Sequence, residues 1–401
     1  MKQISDRIFY CGIMNPNMRV FDVIMRTEYG TSYNSYVIRG SEKVAIVDAS
    51  HHHFSAVYRE ELRAALGGAA PDYLVVNHTE PDHSGAIGDL LEAYPGLTIV
   101  TNAVAAKNLR QIINRGDLPL QIIKDGGCLS LGDVSLQFIV APFLHWPDTM
   151  MTYVPEEQAL FSCDVFGCHY CEPGILDTRI GYPADYELAL RQYFDCIFGP
   201  FRPFVVKGLN KLEGLPLQLV CPSHGPVLTR GARLANALAQ YAAWARTEAR
   251  QPLSVPIFYS SAYGNTEQIA AAMRAGIVEI LPDAACDLVK LDARTGEYAA
   301  AWALLNECDA FLLGSPTINR DAVPPLWQLL SQFDAVNSPK RPCALFGSYG
   351  WSGEACGNLA QRLEQLKCRL FEAPFLVNFV PTEEDLSRAA ALGTRFARAL
   401  L

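Results

Sequence analysis

The spacing of apolar and polar residues changes near residue 250, and each side of that point predicts its own architecture. Before it, short apolar runs separated by turn residues predict strands in KVAIVDAS, YLVVNH, LTIVTN, LQFIVAP, MMTYV, ALFSCD and LQLVCPSHG. Helical patterns such as FSAVYREELRAAL lie between some of these runs. The Ala-rich stretch 230–249 predicts a helix that Pro252 closes. We therefore predict a first domain over residues 1–250, with mixed α/β and α+β character and helices that cover its sheets.

After residue 250, strands and helices alternate regularly. Apolar runs in VPIFYSS, ACDLVKL, CDAFLLGSP, RPCALFGSYG and CRLFEAPFLV predict five strands. In the helix predicted over NTEQIAAAMRAGIVEI, one face carries Ile269, Met273, Ile277 and Ile280. Five apolar strands with helical crossovers predict a parallel, doubly wound sheet for a second domain over residues 251–401.

The bulk composition is that of a compact protein and limits the partners to consider. Half of the 401 residues are hydrophobic and 19% are charged, which argues against extensive disorder. No apolar run is long enough to span a bilayer, and the segment MKQISDRIFYCG is too polar for a signal peptide, so we expect a cytoplasmic protein without membrane contact. The net charge of −9 gives no excess of basic residues that would bind phosphate backbones, which argues against nucleic acid as a partner.

Twelve cysteines are scattered along the chain, which in a cytoplasmic protein predicts reduced thiols. One close pair occurs, Cys168 and Cys171 in CHYC. A zinc ribbon or a rubredoxin-type iron module needs a second pair, so we expect these two thiols to pack in the core or to line a site.

Histidines and acids cluster where predicted strands end. The segment NHTEPDHSG directly follows an apolar run, and further histidines and an acid follow the runs in FLHWPD, LFSCDVFG and CPSHGPV. Side chains at strand ends leave the sheet and can converge on a shared point. Mixed imidazole and carboxylate ligands suit non-haem iron, although ligand softness alone leaves manganese open. The candidate metal ligands are His78, Glu80, Asp82, His83, His145, Asp164 and His224.

Three loops of the second half predict a flavin site. The loop YSSAYGNTEQ combines hydroxyls, a glycine and a helix N-terminus, which favour a phosphate group, but its spacing fits neither ATP nor NAD motifs. The loops GSPTINRD and GSYGWSGEA lie where a flavodoxin-like sheet holds the isoalloxazine ring of FMN, and the glycines around Trp351 indicate an exposed loop whose indole could stack on that ring. The candidate FMN-binding residues are Ser261, Tyr263, Gly264, Asn265, Thr266, Pro316, Thr317, Ile318, Asn319, Ser348, Tyr349, Gly350, Trp351, Ser352 and Gly353.

The first ligand motif resembles that of the metallo-β-lactamase fold, except that Glu80 turns H-x-H-x-D-H into H-x-E-x-D-H. Together with GTSYNSYVI, LHWPDTMMTY, FSCDVFGCHYC, SHG and the flavodoxin-like half, it resembles the flavodiiron proteins, or A-type flavoproteins, over nearly the whole chain. The resemblance implies a metallo-β-lactamase-like αββα sandwich followed by a flavodoxin-like doubly wound sheet. It also implies two irons, one held by His78, Glu80 and His145, the other by Asp82, His83 and His224, with Asp164 between them.

Further residues acquire expected roles from the same resemblance. Tyr193 and His169 match family residues beside the open face of the metal site, where they would hydrogen-bond or donate protons. Asp22 in RVFDVIM stands where many relatives have a histidine, so we expect proton delivery or substrate preference to differ. The triplet His51–His53 matches no family ligand and is interpreted as a polar surface turn.

The resemblance implies a terminal reductase in which electrons enter at FMN, pass to the irons and reduce O2 to water, NO to nitrous oxide, or both. We expect an external donor, rubredoxin or a flavin reductase, because no NAD(P)H-binding extension follows the flavodoxin-like half. Relatives pair head to tail, so we predict a homodimer or a dimer of dimers. The alternatives are a di-zinc hydrolase with an accessory flavodoxin domain, a pure electron carrier, and a redox or NO sensor.

Overall fold

The computed structural model describes residues 2–23, 25–246, 252–294, 298–336, 338 and 340–401. The chain divides into two compact units, Met1–Thr247 and Glu248–Leu401. The predicted domain boundary between residues 250 and 251 lies outside the described residues.

The first unit consists of short strands and helices. Its strands are β1 (Lys2–Gln3), β2 (Ile8–Tyr10), β3 (Ile13–Asn15), β4 (Val20–Phe21), β5 (Met25–Arg26), β6 (Thr31–Tyr33), β7 (Tyr36–Arg39), β8 (Val44–Val47), β9 (Tyr73–Val75), β10 (Thr98–Asn102), β11 (Leu120–Ile123), β12 (Cys128–Ser130), β13 (Ser135–Val140), β14 (Met150–Val154), β15 (Ala159–Cys163), β16 (Leu219–Pro222) and β17 (Leu228–Thr229). Its helices are α1 (Ser55–Leu66), α2 (Pro81–Ser84), α3 (Ile87–Ala93), α4 (Ala103–Ile112), α5 (Pro183–Tyr193), α6 (Arg202–Leu212) and α7 (Ala232–Ala245).

Two sheets pack face to face in this unit. In its described part, one sheet has the order β1-β2-β7-β8-β9-β10-β11 and the other runs from β12 to β17 in sequence order. Alternate residues of both sheets, such as Val47, Val75, Phe138 and Phe161, form the core between them. Helices α1, α3 and α4 cover the outer face of the first sheet, and α5 to α7 cover that of the second. The predicted αββα sandwich is therefore confirmed.

The second unit is a parallel sheet between two helix layers. Its strands are β18 (Ile257–Tyr259), β19 (Leu288–Lys290), β20 (Phe311–Gly314), β21 (Pro342–Tyr349), β22 (Arg369–Leu370) and β23 (Phe375–Asn378), and its helices are α8 (Asn265–Ile280), α9 (Ala299–Glu307), α10 (Pro324–Leu330), α11 (Glu354–Gln365) and α12 (Glu383–Arg398). The strand order is β19-β18-β20-β21, with β22 and β23 both pairing with β21. All these pairings are parallel, as predicted for a flavodoxin-like sheet.

Two opposite apolar faces hold the helix layers of the second unit. Ile269, Met273 and Ile277 of α8 are buried with Phe396 of α12 on one side, while α9, α10 and α11 pack on the other. A side chain at Gly276 would meet the backbone of α12, so glycine permits the close approach of α8 and α12. The periodic apolar positions in the sequence thus mark the packed face of the helix.

Three local features differ from the prediction. Helix α7 ends at Ala245, where Arg246 adopts an extended conformation, and residues 247–249 of the predicted helix lie outside the described residues. The predicted fifth strand is two short strands, β22 and β23, separated by residues 371–374. The small hairpins that pair β3 with β6 and β4 with β5 were not predicted, since strands of two or three residues leave almost no periodic signal. Within the described ranges, no helix combines the length and apolar character needed to cross a bilayer.

Candidate metal centre and cofactor loops

The seven predicted metal ligands lie together at one end of the αββα sandwich. They come from the segment that follows β9 and continues into α2, from the β13–β14 loop, and from the residues directly after β15 and β16. Six of them are buried and His145 is half-buried. Their ligand atoms form two groups, His78, Glu80, His145 and Asp164 in one, and Asp82, His83 and His224 in the other.

The first group surrounds the Glu80 carboxylate. Its Oε2 atom lies 3.2 Å from Nε2 of His78 and 3.0 Å from Nε2 of His145. The same two nitrogens lie 3.9 and 3.7 Å from Oδ2 of Asp164. Two imidazoles and two carboxylates therefore face one small volume.

The second group has two imidazoles and one carboxylate of its own, and it also faces Asp164. Nε2 of His83 lies 3.4 Å from Oδ1 of Asp82, and Nε2 of His224 lies 3.1 Å from Oδ2 of Asp82. These nitrogens lie 3.2 and 3.6 Å from Oδ1 of Asp164. Asp164 thus presents one carboxylate oxygen to each group, which is the geometry of a bridging ligand.

The separations within each group match the needs of a transition-metal ion. A cation with nitrogen and oxygen ligands at about 2.0–2.2 Å places neighbouring ligand atoms roughly 3–3.5 Å apart. Most of the nitrogen–oxygen distances above fall within or just beyond this range. Small rotations of the side chains would complete the coordination of one ion by each group.

The electrostatics of the pocket favour a bound cation. Burial would lower the pKa of His83, but the charges of Asp82 and Asp164 raise it to about 10. Burial would raise the pKa of Asp164, but the charges of His83, His78 and His224 hold it well below its usual value. The buried carboxylates therefore require positive charge, which protons on the imidazoles or metal cations supply.

Buried polar atoms without hydrogen bonds test whether metal ions fit. Four buried atoms have no hydrogen-bond partner among the described residues: both carboxylate oxygens of Asp82 and both ring nitrogens of His83. Such atoms are costly in a protein interior unless another ligand satisfies them. A metal ion in the second group would satisfy Asp82 and Nε2 of His83, so the donor set fits.

Hydrogen bonds behind the ligands aim two imidazoles at the pocket. Asp148 accepts hydrogen bonds from the amide and hydroxyl of Thr79, at 2.8 and 2.7 Å, and its Oδ2 lies 3.4 Å from Nδ1 of His78. Nδ1 of His224 donates to the carbonyl oxygen of Ser32 at 2.7 Å. Both contacts leave Nε2 facing the pocket, as outer carboxylates and carbonyls do at metal-binding histidines.

Tyr193 and His169 border the second group. The Tyr193 hydroxyl donates to Oδ1 of Asp164 at 3.0 Å. Nδ1 of His169 lies 2.9 Å from the Thr31 hydroxyl, and its Nε2 is buried without a hydrogen-bond partner in the described part of the chain. The His169 ring lies 5.1 Å from the ring of His224 and 4.9 Å from that of Tyr193. The structure therefore brings both predicted residues to the wall of the site.

Asp22, the histidine triplet and the two cysteines of CHYC differ in how far they are buried. Asp22 has a positive φ of 46°, and burial together with the negative charge of Glu80 raises the pKa of its carboxyl to about 6. His52 and His53 are exposed and His51 is half-buried, as expected for a surface turn. Cys168 is buried in the core and Cys171 is half-buried; both thiols are free.

In the second unit, the first predicted loop leads into helix α8. Gly264 precedes this helix with a φ of 85°, a left-handed conformation that suits glycine. The Ser261 hydroxyl accepts a hydrogen bond from the amide of Glu267 at 3.4 Å. The buried Thr266 hydroxyl lies 3.0 Å from that of Ser348, which joins this loop to the end of β21. A helix N-terminus and hydroxyls thus converge, which is the arrangement that binds phosphate groups.

The other two loops follow β20 and β21 at the same edge of the sheet. The Thr317 hydroxyl accepts from the amide of Ala355 at 3.4 Å, which connects the loop after β20 to helix α11. Trp351 is 99% exposed and Tyr263 is 92% exposed. Exposed aromatic rings at the carboxyl ends of parallel strands, around the point where strand order reverses, suit a planar ligand. The exposed loop predicted for Trp351 is confirmed.

The remaining candidate FMN residues lie on the same loops. In the loop after β20, Pro316 and Asn319 flank Thr317 and Ile318. Asn265 is the first residue of α8, and Tyr349 is the last residue of β21. The segment from Gly350 through Ser352 to Gly353 leads to α11. Asn319 has a positive φ of 53°. The predicted residues are therefore brought together by loops rather than by one element.

Comparisons with known proteins agree with this architecture. The family model described as ODP family beta lactamase matches residues 31–225, and the flavodoxin model matches residues 257–393. The fold and site therefore define a metallo-β-lactamase-like domain followed by a flavodoxin domain in one chain.

Three relatives cover almost the whole chain. Flavo-diiron protein FprA2 of Clostridium acetobutylicum is 42% identical over 399 residues, 99% of each chain. Nitric oxide reductase of Moorella thermoacetica is 33% identical over 98% of this chain and 97% of its own. The structure of rubredoxin oxygen:oxidoreductase from Desulfovibrio gigas covers 100% of this chain and 98% of its own, with 27% identity and a TM-score of 0.73. The chain belongs to the flavodiiron protein family.

Sequence reasoning missed the residues that support the ligands. Asp148 and Thr31 lie within quoted motifs, LHWPDTMMTY and GTSYNSYVI, but neither side chain was singled out. Asp48 was also missed; its Oδ1 accepts from the amide of Asn77 at 2.7 Å and fixes the start of the first ligand segment. Asp148 lies three residues after His145, which is a signal in the sequence, whereas Thr31 and Asp48 lie far from every predicted ligand along the chain.

Proposed function

We propose that this protein is a terminal reductase that uses FMN and two iron ions to reduce O2 to water, NO to nitrous oxide, or both. The observation that carries the proposal is the position of Asp164, whose two oxygens face two equivalent ligand groups, in a chain that also carries a flavodoxin domain. The names of two relatives, nitric oxide reductase and rubredoxin oxygen:oxidoreductase, support this reaction class.

Seven side chains would hold the metals. His78, Glu80 and His145 would bind one iron, Asp82, His83 and His224 the other, and Asp164 both. When bound, FMN supplies one- or two-electron transfer and the iron pair supplies a binding site and electrons for a diatomic substrate. Three carboxylates among seven ligands give a hard, anionic set that suits iron better than a soft-ligand zinc site.

Residues at the wall of the site would orient the ligands and handle protons. The Tyr193 hydroxyl donates to Oδ1 of Asp164 and so fixes the carboxylate between the two groups. Thr31 holds Nδ1 of His169, which leaves Nε2 of His169 to hydrogen-bond substrate or to pass a proton. Deep burial of both side chains keeps bulk water away from this face.

The three loops of the second unit would hold FMN. Backbone amides at the start of α8, with Ser261 and Thr266, would bind the phosphate. Trp351 and Tyr263 would cover faces of the ring, and the loops after β20 and β21 would contact its edge. Covering these exposed rings supplies an apolar contribution to flavin binding.

We also propose the setting in which the enzyme works. A separate protein, rubredoxin or a flavin reductase, would donate electrons. The protein would act in the cytoplasm, where its twelve free thiols would stay reduced. A head-to-tail homodimer, or a dimer of dimers, would bring FMN of one subunit near the irons of another, and sedimentation of the holoprotein tests this assembly.

The direct test compares O2 and NO with one saturating electron donor. The iron- and FMN-loaded protein should consume one or both gases over many turnovers. With O2 it should form water without releasing peroxide, and with NO it should form nitrous oxide. Stoichiometric peroxide without turnover would identify an electron carrier, and NO binding without product would identify a sensor. Zinc instead of iron in protein purified without added metal would favour the hydrolase alternative.

A further inference from the structure

His51, His52 and His53 form a second cluster of potential metal ligands, separate from the buried centre. One nitrogen from each ring lies within 4.8 Å of the corresponding nitrogens of the other two. The ring centroids are 4.5 Å apart for His51 and His52 and 4.0 Å apart for His52 and His53. Consecutive histidines in an extended loop would point in different directions, so their convergence comes from the local fold.

A short 3-10 turn, His52–Phe54, between β8 and α1 brings the rings together. Nδ1 of His51 accepts a hydrogen bond from the amide of His53 at 3.1 Å, and this bond caps the turn. The ring of His51 also packs 5.8 Å from that of Tyr33. The His51 ring is therefore fixed, while the exposed rings of His52 and His53 are free to rotate toward a shared ion.

We propose that His51, His52 and His53 form an accessory surface site for a divalent late transition metal, Ni²⁺, Cu²⁺ or Zn²⁺. Three neutral imidazoles bind these ions more strongly than Fe²⁺, following the general order of affinities for nitrogen ligands. The buried centre differs because Glu80, Asp82 and Asp164 make it anionic. The surface site therefore has no anionic ligand, and water would fill its open positions.

The accessory site adjoins the backbone that carries two ligands of the buried centre. The amide of Ala49 donates to the carbonyl of His83 at 2.8 Å, and the amide of Ala86 donates to the carbonyl of Ser50 at 2.9 Å. A side chain on Gly85 would meet the backbone nitrogen of His52. The histidine turn is therefore clamped against α2, although its own rings face solvent.

Two electrostatic effects act on an ion at this turn. The N-terminal end of α1 repels a cation, which limits the affinity. The protein as a whole carries a net charge of −9, which attracts one. Coordination by three imidazoles outweighs the repulsion by the helix end, because direct ligand bonds exceed a partial charge at an exposed position.

The test uses tag-free, full-length protein that already holds iron and FMN, with Ni²⁺ as the probe. Equilibrium dialysis followed by metal analysis should find about one Ni²⁺ per chain with iron content unchanged. The double variant His52→Gln/His53→Gln should bind Ni²⁺ at least about tenfold more weakly. The control Arg59→Gln/Glu60→Gln, on the exposed face of α1, should bind Ni²⁺ like the unmodified protein.

Equal Ni²⁺ binding by the unmodified protein and the histidine variant would overturn the proposal, as would no binding by either. If the variant also loses iron or unfolds, Cu²⁺ bound to the unmodified protein decides instead. Its electron paramagnetic resonance spectrum should show coupling to several imidazole nitrogens. A spectrum with oxygen ligands alone would contradict the assignment.

Discussion

The metal centre and the flavin loops are built in opposite ways. Six of the seven predicted metal ligands are buried, and Asp148 and Ser32 contact two of their imidazoles on the side away from the pocket. The flavin loops instead leave Trp351 99% exposed and Tyr263 92% exposed. The fold thus positions the predicted metal ligands by itself, whereas the predicted flavin loops expose rings that FMN would cover.

The difference follows from the chemistry of each ligand. Buried carboxylates and imidazoles need fixed geometry, because a misplaced charge in the interior is costly. A flavin binds through backbone amides and apolar contact, which surface loops provide without burying charge. Changes at the metal centre should therefore have large effects that stay within the first unit, and changes in the loops should have smaller effects that stay within the second.

The largest expected effect is that of Asp164→Ala. Removing the carboxylate that faces both groups should abolish binding of the second iron and lower reductase activity by more than about a hundredfold, because loss of outer partners alone costs about 10- to 100-fold. FMN content should stay unchanged. Metal analysis, flavin absorbance and gas consumption measure the three outcomes. The matched control is Asp195→Ala, which removes a surface carboxylate paired with Arg191 and should keep both irons and full activity. A fully active Asp164→Ala protein with two irons would refute the assignment.

A smaller effect on the same site is expected for Asp148→Asn. The variant should lower iron affinity about 10- to 100-fold, because the weaker acceptor no longer holds Nδ1 of His78 as firmly. The rate of iron loss to a chelator measures this change. Asp117→Asn, at an exposed ion pair with Arg115, should lose iron at the unmodified rate. Equal rates in both variants would show that the contact does not support the metal.

Trp351→Ala tests the flavin loops. The variant should bind FMN roughly tenfold more weakly, the equivalent of about 1.4 kcal/mol, because a stacking surface is lost. Fluorescence titration of the flavin-free protein measures the affinity, and Trp351→Phe should retain most of it. Iron content should not change in either variant; loss of iron would contradict the division of labour between the two units.

The smallest effect is expected for Thr382→Ala at the start of α12. The Thr382 hydroxyl accepts from the amide of Asp385 at 3.2 Å, and the Asp385 carboxylate accepts from the amide of Thr382 at 3.0 Å, which forms a capping box. Its loss should cost about 1 kcal/mol of unfolding free energy in the second unit. Calorimetry should show a midpoint lower by about 2–4 °C for this unit, with iron unchanged. A shift confined to the first unit would contradict the assignment of this helix to an independent core.

The sequence predicted the elements that carry strong patterns and missed those set by tertiary contacts. His78, Glu80, His145 and Asp164 were predicted together because each follows an apolar run in the sequence, and the structure brings their ligand atoms into one group. Asp148 escaped notice because its role depends on a contact with Thr79, 69 residues away in sequence. A polar side chain next to a motif does not reveal which atom it will meet.

The same limit applied to the fold. The apolar periodicity of α8 and of the parallel strands was sufficient to predict the second unit. The division of the last strand into β22 and β23 was missed, although Glu372 and Pro374 interrupt the apolar run of CRLFEAPFLV at the point where the strand breaks. The end of α7 at Ala245 was also missed, because no glycine or proline marks the change of conformation at Arg246.

The most direct test of the account is a crystal structure of the iron-loaded protein with anomalous scattering data collected at the iron absorption edge. Two peaks should appear in each chain, one within each ligand group, on either side of the Asp164 carboxylate. A single peak, peaks away from these side chains, or no peak after anaerobic loading with ferrous salt would contradict the claim that these seven side chains hold an iron pair.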